Sequence, residues 1–172
     1  LGCADDTCSD GEVNRKFMFG PDVIDEDGTY HILLGSGDRE KPLDDWDVTY
    51  KVKNFFFMIK DRPEDADNLT VEDGSPLCTT ASGDGIMCLN SLAYIDLDAD
   101  PTDSDLANEI GQKRGWYLEL APHEQVVTSA ITVFGVSTFS THIPTAPDPD
   151  SCEPDLGTAK VYNVDYLNSA GY

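Results

Sequence analysis

The densest group of hard oxygen ligands in the chain is the run Asp96-Leu97-Asp98-Ala99-Asp100-Pro101-Thr102-Asp103-Ser104-Asp105. Carboxylates at alternate loop positions can turn several oxygens toward one centre, and calcium takes about six to eight such oxygens in a flexible geometry. Counting from Asp98 in the manner of an EF-hand loop places calcium ligands at Asp98, Asp100, Thr102 and Ser104, with the bidentate acid at Glu109. Asp103 stands where the sharp turn of such a loop wants glycine, and the alternative is a solvated acidic loop that caps the helix after it. A smaller acidic group, Asp22, Asp25 and Asp27 before Gly28, is read as a hairpin turn.

Five cysteines give a second kind of chemistry. Cys3 with Cys8, and Cys78 with Cys88, bracket short loops of Asp, Gly, Ser and Thr, which suits disulfides pinning exposed loops in an oxidising compartment; free surface thiols are the alternative. Cys152 is left over. Zinc and covalent haem lack their spacings, since no Cys-x-x-Cys occurs and His31, His123 and His142 are scattered.

Catalytic signatures are missing: there is no Gly-x-Ser-x-Gly elbow, P-loop or His-Glu-x-x-His, and the expectation is a protein that is not an enzyme. Asp38, Arg39 and Glu40 are adjacent, but neighbours on a strand or turn point in different directions, so Arg39 is expected to pair with a carboxylate and lock a loop. Trp46 and Trp116 could stack on a quinone or sugar, although in repeated β-sheet architectures docking between adjacent blades is the commoner use of tryptophan. Asn68-Leu69-Thr70 matches a glycosylation acceptor, and Ala146-Pro147-Asp148-Pro149-Asp150 is expected to be an extended surface loop.

The elements that must carry these residues are mostly strands. Aromatic and β-branched residues concentrate in Tyr30–Gly35, Asn54–Lys60, Ser91–Leu97, Trp116–Leu120, Val126–Phe134, Gly135–Thr141 and Lys160–Tyr166. Between them lie turn-forming stretches such as Glu26-Asp27-Gly28 and Ser82-Gly83-Asp84-Gly85. One short helix is expected over Ser104–Lys113, opened by Thr102 and Asp105 as a capping box and stopped at Gly115.

An internal echo organises the strands. "YHILLGSGD…NFFFMIKDRPED" is matched by "FGVSTFSTHIP…AKVYNVDYLNSAG": a strand, a variable loop, then an aromatic strand that closes on Asp61 in one copy and Asp165 in the other, with Phe56 corresponding to Tyr162. Such repetition is expected of a propeller, in which each blade is an antiparallel sheet buried against its neighbours. The expected fold is therefore all-β, a partial β-propeller of about three blades with one short helix. The remaining blades would be lost or supplied by another chain.

Two stretches carry a family resemblance. "ILLGSGDREKPL" followed by "VKNFFFMIKDRP", and the later "RGWYLELAPHEQVVTSAITVFGVSTFSTHIP…SCEPDLGTAKVYNVDYLN", resemble the PilC/PilY-type type IV pilus tip-associated adhesins over about residues 30–168. Lys53-Asn54 departs from that pattern, as does the extreme acidity. The resemblance implies that residues 1–172 are the C-terminal segment of a quinoprotein-like propeller domain, with the N-terminal part of the protein absent. It further implies a non-enzymatic adhesin or pilus assembly factor at the pilus tip or cell surface, whose partners are minor pilins, the remaining blades, and a host or abiotic surface. The resemblance implies calcium-regulated retraction only as some members of that family show it, and the calcium site of those relatives is not carried over, since this chain has no matching Asp-rich nine-residue repeat. A fragment of a quinoprotein-type propeller dehydrogenase is the alternative.

Composition narrows the partners. The 172 residues hold 11 basic against 33 acidic side chains, a formal charge of −22, which would repel nucleic acid and anionic membranes. The longest apolar run, Phe55-Phe56-Phe57-Met58-Ile59, is far short of the roughly 20 residues of a membrane-spanning helix. The start at Leu1, without an initiator Met or an apolar leader, is expected of a mature or trimmed product.

Overall fold

A computed structural model describes residues 15–38, 52–65, 89–97, 104–146, 150 and 156–168. Within these residues the chain is mostly β, with one short helix, and its strands form two sheets, neither of which closes on itself. The first sheet has the order β1-β2-β3-β5-β4, where β1 is Asp22–Glu26, β2 Thr29–Gly35, β3 Phe55–Asp61, β4 Ala93–Ile95 and β5 Gly115–Glu119. In the second, β8 (Val136–Ile143) is central, with β9 (Thr158–Asp165) on one side and both β6 (Gln125–Val126) and β7 (Ile131–Val133) on the other. The helix α1 spans Ser104–Gln112.

Most strands lie where aromatic and β-branched residues concentrate, and the departures have local causes. The run expected as one strand over 126–134 is two, because the Thr128 hydroxyl accepts the Ser140 amide at 2.9 Å and interrupts the ladder between β6 and β7. The strand expected over 91–97 shrinks to β4, entered from a 3-10 turn at Leu89–Ser91. Asp22 and Asp25 lie on β1 rather than in a turn, and only Asp27-Gly28, both at positive φ, make the turn itself. The helix ends at Gln112, short of Gly115, which at φ 133 opens β5 instead. It buries Ile110 against the core with Leu106 one turn earlier, and Lys60 donates to the Ile110 carbonyl at 2.7 Å near its C-terminal end. Because α1 crosses between β4 and β5, that pair is parallel, and the other pairings are antiparallel.

The two copies of the echo fall in different sheets. β1-β2-β3 and β7-β8-β9 are the same unit: a hairpin with a two-residue turn of positive φ, a long excursion, then a third antiparallel strand. The turns are Asp27-Gly28 and Phe134-Gly135, the φ pattern of a type I′ hairpin. Aligning the turns sets Ile24 against Ile131 and Leu33 against Ser140. Yet Ile24 and Leu33 face the core, whereas Ile131 is 65% exposed, and the second sheet turns inward its opposite face, with Ser137, Phe139 and Thr141. The units therefore stack front to back.

The sheets share one core. Leu33, Phe56, Met58, Trp116 and Leu118 of the first meet Phe139 and Val164 of the second. Phe56 stacks on Phe139 with centroids 3.7 Å apart and planes 2° from parallel, and Phe139 on Tyr162 at 5.0 Å and 7°. The expected correspondence of Phe56 with Tyr162 does not hold in register: aligning the hairpin turns sets Phe56, the partner of Gly35, against Ala159, the partner of His142, and the two rings reach Phe139 from opposite faces of their units. Trp116 takes the docking role: buried, it donates its indole N–H across the sheets to the Tyr166 carbonyl at 2.9 Å. A second cluster of Phe55, Phe57 and Leu92 covers the other face of the first sheet.

Candidate functional site

The chemically richest place among the described residues is the carboxylate of Glu124, fully buried where the chain passes from β5 to β6. Oε1 accepts from the Thr141 hydroxyl at 2.5 Å and the Tyr162 hydroxyl at 2.8 Å, and Oε2 from Lys160 Nζ at 3.0 Å and the Ala121 amide at 3.1 Å. Period-two alternation makes this possible: Thr141 and Lys160 are register partners on the inward face of the β8–β9 pair, with Tyr162 two residues further along β9. Burial alone would raise the Glu124 pKa, but the bonds from Thr141, Lys160, Tyr162 and Ala121 together outweigh it and hold the carboxyl below its ordinary value. The same bond to Glu124 raises Lys160. Burial, and then the Glu124 contact, raise Tyr162.

The backbone around Glu124 is tied to the end of β2. Asn54 donates its side-chain amide to the Glu124 carbonyl at 3.1 Å and accepts from the Ser36 hydroxyl at 3.0 Å, while the Asp38 amide donates to Gln125 Oε1 at 2.6 Å. Gly35 and Gly37 are required here, because a Cβ on Gly35 would strike the Val126 side chain and one on Gly37 would lie 2.7 Å from the Val126 carbonyl. The Gly-Ser-Gly-Asp segment at 35–38 thus admits the crossing chain. Glu124, ionised and enclosed by donors, is an anchor that joins the sheets rather than a group poised to exchange protons.

A second polar feature lies at the same junction. His31 on β2 is 4% exposed, meets the Tyr166 ring edge-on at 5.3 Å, and its Nδ1 has no hydrogen-bond partner among the described residues. Burial lowers its pKa, against an opposing pull from Glu26 and with smaller pushes from Lys60 and Arg62. Tyr166 itself donates to Glu26 at 3.3 Å.

The expected site residues fare differently. Cys3, Cys8, Cys78, Cys88 and Cys152, together with Asp98, Asp100, Thr102, Arg39, Glu40, Trp46 and Asn68, lie outside the described residues. Ser104 begins α1 and Glu109 lies inside it, its carboxylate 3.1 Å from Lys113 one turn on. At a rise of ~1.5 Å per residue, those two positions stand about 7.5 Å apart along the axis. Asp25 accepts the Gly28 amide at 3.3 Å and so steadies the hairpin turn. Asp38 pairs with Lys16. Among the described residues no three His, Cys, Asp or Glu side chains come together as a metal site, and no helix is long and apolar enough to cross a membrane. The Glu124 anchor escapes a sequence reading because Pro122-His123-Glu124-Gln125 looks like a solvated loop; its partners come from 17, 36 and 38 residues away. No protein-family model, curated protein or solved structure matches the chain.

Proposed function

We propose that the chain is a sector of a larger β-propeller that acts as a non-enzymatic binding platform, a type IV pilus tip-associated adhesin or assembly factor of the PilC/PilY type, outside the cell. The observation that carries this reading is the front-to-back stacking of the two equivalent strand units. Units related by a twofold axis would bury the same face of each and stop there, whereas front-to-back contact repeats without limit until a ring closes. The free face of the second sheet agrees with such an open end, since Ile131, Val133 and Val161 are 65%, 55% and 64% exposed. On this reading the remaining blades continue from that face, and exposed loops meet minor pilins or a host or abiotic surface. Calcium belongs to the same proposal through the acidic run at 96–105, where Asp98→Ala with Asp100→Ala should weaken the heat of calcium binding in calorimetry.

Deletion of the gene from its own cell, with complementation, tests the assignment. Loss of surface pili or of attachment is expected. Unchanged piliation and attachment, or a bound quinone giving the purified protein a visible absorbance, would overturn it.

A further inference from the structure

We propose that His31, Tyr166 and Glu26 form an acid-operated latch at one end of the sheet junction. A proton on His31 draws Glu26 off the Tyr166 hydroxyl and frees the end of β9 from the first sheet, while Glu124 holds the other end. This stands apart from the platform reading and from the pilus assignment.

Tyr166, just past β9, pins the second sheet to the first at this end. Its amide donates to the Gly135 carbonyl in the β7–β8 turn at 3.1 Å, and its carbonyl accepts the Trp116 indole N–H of β5 at 2.9 Å. Its hydroxyl donates to Glu26 of β1 at 3.3 Å, and its ring meets His31 of β2 edge-on at 5.3 Å. Contacts from four elements thus converge on one buried residue. Lys160, at the Glu124 anchor, lies six residues back along the chain, about 20 Å at ~3.3 Å per residue. The junction is therefore held at two separate points, and a titratable imidazole is packed against one of them.

Strand register decides which charges face His31. Its partner on β1 is Ile24, so Asp22 and Glu26, two residues to either side, are its diagonal neighbours on the same face. Its partner on β3 is Lys60, with Arg62 two residues on. From the second sheet comes Tyr166, with Asp165 beside it. Lys60 is committed to the Ile110 carbonyl at the end of α1, and Asp165 to the amides of Leu167 and Asn168. Glu26 is exposed, and its bond from Tyr166 is long, so this carboxylate can change partner. Burial holds His31 neutral, and Glu26 exerts the opposing pull on it, ahead of the smaller pushes from Lys60 and Arg62. While the imidazole is neutral, Glu26 stays with the tyrosine hydroxyl. An imidazolium offers the carboxylate a charge-assisted bond, roughly twice as strong as the neutral one. Acid therefore moves Glu26 from Tyr166 to His31, and as Tyr166 leaves the junction Trp116 loses the acceptor of its indole N–H.

The test is hydrogen exchange on the whole purified chain from about pH 7 to about pH 5, corrected for the intrinsic exchange rate, with the His31 imidazole titrated in parallel by NMR. The Tyr166 amide and the Trp116 indole N–H are expected to open roughly fivefold more in acid, following the His31 titration. The Val126 and Val127 amides, bonded to the Ser36 and Ser140 carbonyls beside the Glu124 anchor, should keep their protection. His31→Phe should abolish the acid opening. Glu26→Gln, at an exposed position, still accepts from Tyr166 but cannot form an ion pair with an imidazolium. It should move the midpoint to lower pH, a shift that a merely structural role would not produce, and it keeps the test decisive if His31→Phe fails to fold. Protection lost at both ends together, an opening that persists in His31→Phe, or a midpoint unmoved in Glu26→Gln would each overturn the proposal.

Discussion

Glu124 shows how one side chain can decide where two sheets meet. Replacing it with Gln keeps the acceptor facing Thr141 and Tyr162, but sets an amide N–H2 against two donors, Lys160 and the Ala121 amide. Glu124→Gln should therefore lose about 2–4 kcal/mol in urea unfolding, and Tyr162→Phe about 1 kcal/mol. A larger loss for the tyrosine would show that the pair is misassigned. Phe134 presents the opposite case. It occupies the first position of a type I′ turn at φ 51 and is fully exposed, whereas the matching turn in the first sheet holds Asp27. A bulky side chain at positive φ is strained, and Asn suits that position. Phe134→Asn is expected to stabilise the chain by about 1 kcal/mol, raising the thermal midpoint by a few degrees. A lower midpoint would mean that the ring has a contact that the fold does not account for.

Between strands, the first sheet hangs on one close approach. Gly115 begins β5 at φ 133, and a Cβ there would run into the Met58 carbonyl on β3. Trp116 follows it directly, with its bond across to Tyr166. Gly115→Ala should thus disturb both the β3–β5 ladder and the sheet junction, and cost more than about 2 kcal/mol in denaturant unfolding. Loss of the near-ultraviolet dichroism with the far-ultraviolet dichroism kept would place the damage at that junction. An effect below about 1 kcal/mol would refute the steric argument. The same scale explains the split of the 126–134 run: hydropathy continues through it, but the Thr128 hydroxyl takes a backbone partner that the ladder would otherwise use.

For the molecule as a whole, acid is the expected weakness. His31 has a lowered pKa in the folded protein, so above the ordinary imidazole value of ~6.5 both folded and unfolded states are neutral, and below it the unfolded chain takes up a proton that the fold resists. Glu124 acts in the same direction at lower pH, since its lowered pKa contributes stability that is present above the ordinary carboxyl range and lost as pH falls through the folded value. Stability should fall as pH is lowered from 7 toward 5, and His31→Phe should flatten that part of the profile in thermal melts. An unchanged slope in the variant would remove His31 as its source. Much of the architecture was already legible in the chain. Aromatic and β-branched runs marked most strands, the stretch Ser104–Lys113 marked by its capping residues holds the helix, and the echo paired β2-β3 with β8-β9, because such patterns are local. What only the folded chain decided is which face of each repeat turns inward, that Gly35 and Gly37 serve a crossing strand, and that a glutamate in a polar stretch ends buried among Thr141, Lys160 and Tyr162. Those outcomes depend on contacts between residues far apart in sequence, and no local pattern of side chains encodes which distant partner will arrive.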